Sequence, residues 1–141
     1  MAKLNPYLSL RGNAREALGF YQSMLGGEVN ISTFGSMPGM PGITEAENDQ
    51  VMHGQLDTPN GLTLMVSDTP SSMPWEPANG AVTVSLTGGA DDLDYITSAY
   101  QALSDGATDI LPFELAPWGD HYGQLKDKYG VSWMFDAGPA A

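Results

Sequence analysis

Gly54-Gln55-Leu56, then four residues, then Gly61-Leu62-Thr63-Leu64-Met65: the chain writes this phrase a second time, as Gly123-Gln124-Leu125, four residues, and Gly130-Val131-Ser132-Trp133-Met134. Gly54 and Gly123, Gly61 and Gly130, and Met65 and Met134 each stand 69 residues apart in a chain of 141. A constant offset near half the length, with Thr/Ser and Leu/Val exchanges inside it, predicts one supersecondary unit used twice. Two such units packed together leave a cavity between them. Pseudo-equivalent positions then identify the side chains that line it.

Each copy of the phrase predicts a hairpin. In the first, Val51 to Leu56 and Leu62 to Val66 flank Asp57-Thr58-Pro59-Asn60-Gly61, whose Asn-Gly is a turn signal. In the second, the strands are Tyr122 to Leu125 and Val131 to Phe135. Upstream of the first copy, Leu4 to Leu10 alternates as a strand does. Asn13 follows at an N-cap position, with Glu16 three residues on in the pattern of a capping box. Ala14, Ala17, Leu18, Tyr21, Met24 and Leu25 recur at helical spacing, and Gly26-Gly27 ends the helix. Val29 to Phe34 is a strand. Residues 35–49, rich in Gly, Pro, Met and acids, read as a long mobile loop and a candidate lid.

After a linker over 69–80 the order restarts. Ala81 to Leu86 is a strand, Ala90 to Leu103 a helix and Ile110 to Phe113 a strand, before the second hairpin. The reading is an α+β protein: one domain of two βαβββ modules, 4–68 and 81–136, whose curved mixed sheets surround a central cavity.

Seventeen acids against five bases give a net charge of −12. Such a chain repels nucleic acid phosphate and anionic membrane surfaces, so neither is an expected partner. The absence of cysteine removes disulfides, thiol nucleophiles and thiolate metal sites. No apolar run approaches the ~18 residues of a membrane span, and the first residues do not read as a secretory signal. A cytoplasmic location is expected.

The doubled order, with Pro6-Tyr7-Leu8, Asn13, Glu16-Ala17, Phe20-Tyr21, Gly26-Gly27, Met52-His53, Ser67-Asp68, Trp118-Gly119, Asp127, Tyr129-Gly130-Val131 and Trp133, resembles the vicinal oxygen chelate superfamily. That superfamily includes glyoxalase I, extradiol dioxygenases and bleomycin-resistance proteins. Closer still, the chain resembles its PhnB-like branch, often labelled a 3-demethylubiquinone methyltransferase domain. No glycine-rich site for a methyl-donor nucleotide accompanies the match. The resemblance implies a homodimer. It also implies that metal-using relatives carry His or Glu ligands at positions falling near Asn5, Met65, Ala81 and Met134. None of these supplies a carboxylate or an imidazole, and thioethers suit a hard divalent ion poorly. No metal site and no cofactor are therefore expected.

Strand residues alternate between faces. If Leu8, Leu10, Leu56, Leu62 and Leu64 face the helix, then Tyr7, His53, Gln55 and Met65 face the cavity. The repeat adds Tyr122, Gln124 and Met134. His53 is the candidate catalytic residue, as a general acid or base near neutral pH; the plainer reading is a side chain bonded to a neighbour such as Gln55. Tyr7, Gln55, Met65, Trp118, Tyr122, Gln124 and Met134 are the candidate ligand-binding residues. The two Gln side chains both donate and accept hydrogen bonds and suit a polar small molecule, or a bond to adjacent backbone. The two Met side chains are adaptable walls or plain packing, and Trp118 lies in a loop where it can cap a planar ligand. The expected function is metal-free binding of a small organic molecule. The alternatives are an enzyme that uses His53, and a divalent-metal-dependent lyase or dioxygenase with other ligands.

Overall fold

Segments with a repeat of two become strands and those with a repeat of 3.6 become helices, in the same order twice. The computed structural model describes residues 1–37, 39–77 and 80–139. Pro38, in the expected loop 35–49, and Ala78 and Asn79, in the expected linker, lie outside the described residues. The chain divides into two units, Met1–Glu76 and Pro77–Ala141.

The first unit contains β1 (Tyr7–Leu10), α1 (Ala14–Leu25), β2 (Glu28–Thr33), β3 (Val51–Asp57) and β4 (Thr63–Asp68). Its sheet has the order β1-β4-β3-β2. β1 and β4 are parallel, and the other pairs are antiparallel. The second unit repeats this with β5 (Thr83–Gly88), α2 (Leu93–Leu103), β6 (Thr108–Leu115), β7 (His121–Lys126) and β8 (Ser132–Ala137), in the order β5-β8-β7-β6. A short 3-10 turn over Ala90–Asp92 leads into α2.

One face of each sheet is packed and apolar. In the first unit Ala14, Ala17, Leu18 and Tyr21 of α1 are buried, as are Leu56, Leu64 and Val66 of the strands. In the second, Ile96, Ala99 and Leu103 of α2 are buried, with Leu125, Trp133 and Phe135. The repeated glycines permit close approach, of the helix at Gly54 and of the adjacent strand at Gly123. A β-carbon at Gly54 would overlap Leu18 Cδ1, and one at Gly123 would lie 2.8 Å from Phe113 Cα. The second glycine of each phrase turns the hairpin at positive φ, +89° at Gly61 and +85° at Gly130. The turn hydrogen bonds repeat as well. Thr58 and Leu62 in one copy, and Asp127 and Val131 in the other, are joined by N–H···O bonds of 3.0 and 2.8 Å.

The capping box expected of Asn13 and Glu16 is absent, since Asn13 makes no side-chain capping bond. Its task passes to buried Asp68 at the end of β4. Asp68 Oδ1 accepts from Gly12 N at 2.7 Å and Ala14 N at 3.1 Å, and Oδ2 accepts from Val51 N at 2.9 Å. A charged acceptor from the neighbouring strand bonds the first amides more strongly than a neutral Asn would. The segment 35–49 also differs from an unstructured loop. It contains 3-10 turns over Phe34–Ser36 and Glu45–Glu47. Glu47 accepts from Thr44 N at 3.0 Å and Ser71 N at 2.8 Å, tying the segment to the chain beyond β4.

Candidate functional site

The face of each sheet turned away from its helix is polar. In the first unit it carries Tyr7 and Ser9 of β1, Thr63, Met65 and Ser67 of β4, and His53, Gln55 and Asp57 of β3. The register sets Tyr7 and Gln55 on either side of Met65, and Asp57 beside Thr63. His53, Gln55 and Met65 are half-buried, whereas Leu56, Leu64 and Val66 on the other face are buried. A period-two strand with one packed face leaves its alternate residues to a ligand or to solvent.

Hydrogen bonds join these side chains in a row. The Tyr7 hydroxyl lies 3.5 Å from His53 Nδ1, and the two rings are 5.7 Å apart. His53 Nε2 lies 3.4 Å from Gln55 Oε1. Gln55 Nε2 donates to Asp57 Oδ2 at 2.8 Å, and Thr63 Oγ1 donates to Asp57 Oδ1 at 2.8 Å. The last two bonds are short and the contacts at His53 are long, so the row is firm at Asp57 and loose at the imidazole. The bonds from Thr63 and then Gln55 hold the Asp57 carboxyl below the ordinary aspartate value. The turn signal places Asp57 in the hairpin loop; β3 instead runs through it. Its parity with His53 and Gln55 is the signal that identifies it.

In the second unit Gln124 Nε2 donates to the Tyr122 hydroxyl at 2.5 Å. Met134 stands in register between Gln124 and Ser85. Trp118, 63% exposed, lies in the loop before β7 with its ring edge-on to Tyr122 at 5.6 Å. Thus Trp118, Tyr122 and Gln124 form one contact chain. Trp133 is buried and donates through Nε1 to Asp127 Oδ2 at 2.9 Å. His121 falls on the opposite parity from Tyr122, with its ring 5.9 Å from Phe113.

A carboxyl pair beside this group has no counterpart among the sequence candidates. Asp136 is opposite Tyr122 in the register. Burial, and then the adjacent Asp120 carboxyl, raise its pKa above the ordinary aspartate value. Asp136 continues the parity of Ser132 and Met134, but nothing local in the sequence brings Asp120 to it.

Among the described residues, no group of three or more His, Asp or Glu side chains is placed to hold a metal ion. Asn5, Met65, Ala81 and Met134, the residues near which the resemblance implies the ligands of metal-using relatives, are two amide- or methyl-bearing side chains and two thioethers. Such a donor set, without carboxylate or imidazole, does not fit a glyoxalase-type divalent centre. Among the described residues, no helix is long and apolar enough to cross a membrane.

Residues 2–135 match the family model described as 3-demethylubiquinone-9 3-methyltransferase. Protein PA1353 from Pseudomonas aeruginosa is similar in structure, with a TM-score of 0.82 and 27% identity over 99% of this chain and 100% of that one. The PhnB protein from Bacillus cereus has a TM-score of 0.70 and 26% identity over 96% of this chain and 99% of its own. A glyoxylase/bleomycin resistance protein/dioxygenase domain from Frankia shares the fold alone, at 13% identity and a TM-score of 0.63, over 98% and 92% of the two chains. With the doubled βαβββ order and a model match over nearly the whole chain, the protein belongs to the PhnB-like 3-demethylubiquinone-9 3-methyltransferase family and has the fold of glyoxalase and bleomycin-resistance proteins.

Proposed function

We propose that this protein binds a small polar organic molecule on the helix-distal faces of its sheets, without a glyoxalase-type metal ion. The observation that carries this reading is the row Tyr7–His53–Gln55–Asp57–Thr63. It offers an exposed aromatic ring and hydroxyl beside a half-buried imidazole and amide on one sheet face. The phenol and the imidazole can turn from their long internal contacts to a ligand, and Met65 beside them gives an adaptable apolar wall. The contacts at His53 are with an uncharged phenol and an uncharged amide. Among the described residues no carboxylate touches the imidazole to orient it as a general base, which favours a binding role over an acid–base one.

The test is a thermal-shift screen of small polar and aromatic compounds on the wild type, repeated with His53→Ala and Gln55→Ala. A compound that binds the native state raises the midpoint, and does so increasingly as its concentration exceeds its Kd. The expected result is a stabilising compound whose effect is lost in both variants. A stoichiometric divalent ion in purified protein would overturn the metal-free reading. A compound that stabilises all three proteins equally would overturn the site.

A further inference from the structure

The corner of the sheet occupied by Asp57 in the first unit is occupied by Lys126 in the second. Gln55 corresponds to Gln124, Asp57 to Lys126 and Thr63 to Ser132, each 69 residues on. In the first unit Gln55 and Thr63 both donate to Asp57, and the corner is closed by its own side chains. In the second the Gln124 amide donates to Tyr122 instead, and the residue beside it is a cation. The charge at this corner is reversed and the bonds that close it in the first unit are replaced.

A cleft of about 200 Å³ opens there, lined by Thr83, Asp109, Gln124, Lys126 and Ser132 among others. Thr83, Ser132, Lys126 and Thr108 form one rung across all four strands. Asp109 follows Thr108 at a break in the β6–β7 register. It has φ +52°, alone among the described non-glycine residues in being positive. Aspartate tolerates this left-handed conformation better than most residues, and a bulge re-aims the side chain of the strand it interrupts. The break in register thus brings Asp109 into the lining of a cleft that also contains a lysine.

We infer that this cleft binds a zwitterion, a small molecule carrying both a carboxylate and an ammonium group. The inference rests on the small-molecule reading above and specifies the ligand class for the second unit. Lys126 takes the carboxylate, with the Ser132 and Thr83 hydroxyls as further donors, and Asp109 takes the ammonium. A net charge of −12 opposes the approach of a simple anion, whereas a zwitterion carries no net charge to be repelled. The cleft is also smaller than the several hundred Å³ of a drug-sized pocket, which suits a molecule of few atoms.

The experiment is a titration of the isotope-labelled full-length protein followed by amide resonances. The probe is 4-aminobutyrate, with butyrate and butylamine as half-charged controls. Saturable shifts are expected at Thr83, Asp109, Gln124, Lys126 and Ser132. Each control, and each of Lys126→Gln and Asp109→Asn, should bind about tenfold more weakly, the loss expected of one charge-assisted contact. Asn keeps the left-handed backbone of Asp109, so that variant separates charge from fold. Equal binding of 4-aminobutyrate and butyrate would overturn the zwitterion reading in favour of a carboxylate site. No shift at these residues with any probe would overturn the site. Neither result bears on the compound screen at His53 and Gln55, which reads the other unit.

Discussion

The glycine that opens each copy of the repeated phrase is fixed by steric contact. Gly54 lies under Leu18, which is fully buried, so a methyl group there cannot be absorbed by moving the leucine into solvent. Gly54→Ala should destabilise the protein by about 1–3 kcal/mol, the usual cost of overpacking a core, read as a lowered urea midpoint with unchanged slope. Charge acts on the other face. Asp136 is raised above its ordinary pKa by burial and by Asp120, so its ionised form is disfavoured in the fold. The stability linked to this group is present below the ordinary aspartate pKa and is lost as pH rises through the raised value. Asp136→Asn should therefore raise the melting temperature at pH 7 relative to wild type, and the advantage should shrink as pH falls to the ordinary aspartate range. An advantage that persisted unchanged in acid would contradict the assignment.

Among the elements, the segment between β2 and β3 depends most visibly on a single side chain. Backbone N–H groups of Thr44 and then Ser71 hold the Glu47 carboxyl at about 2, from an ordinary 4.5. A lowered pKa gives stability that is present above the unfolded value and is lost as pH falls through the folded one. Acidification from pH 5 towards pH 2 should therefore loosen residues 44–47 and Ser71, seen as faster amide exchange there, and Glu47→Gln should show fast exchange already at pH 5. Both helices, both hairpins and the doubled order are legible in the sequence, because they rest on local periodicity and on glycines in turns. The polar parity of His53, Gln55, Tyr122 and Gln124 is legible for the same reason. The groups that are not are carboxylates acting across chain separation. Asp68 caps a helix 54 residues earlier, Glu47 bonds an amide 24 residues later, and Asp120 meets Asp136 from the loop before β7. Asn13 and Glu16 supply a capping pattern that a stronger remote acceptor displaces. No spacing rule reports a partner that only the sheet register brings close.

Across the whole molecule acids outnumber bases, 17 against 5. Like charges repel more in the folded chain than in the expanded one, and salt screens that repulsion over about 10 Å at 0.1 M. Raising sodium chloride from low concentration should increase the melting temperature before any specific ion effect; a flat or falling response would mean that attractive pairs dominate instead. The same charge opposes the close approach of two copies, and one strand adds a geometric obstacle to sheet extension. β6 ends its sheet and exposes Ile110, Leu111 and Leu115, an apolar edge of the kind that invites another strand. It also contains Pro112, which has no N–H to offer, and its register is broken on both sides of Leu111. An irregular ladder with a missing donor is a poor template for amyloid-like growth. Two copies that meet at this edge would do so by packing side chains rather than by extending the sheet, and the break in register that brings Asp109 into its cleft also guards the strand against runaway polymerisation.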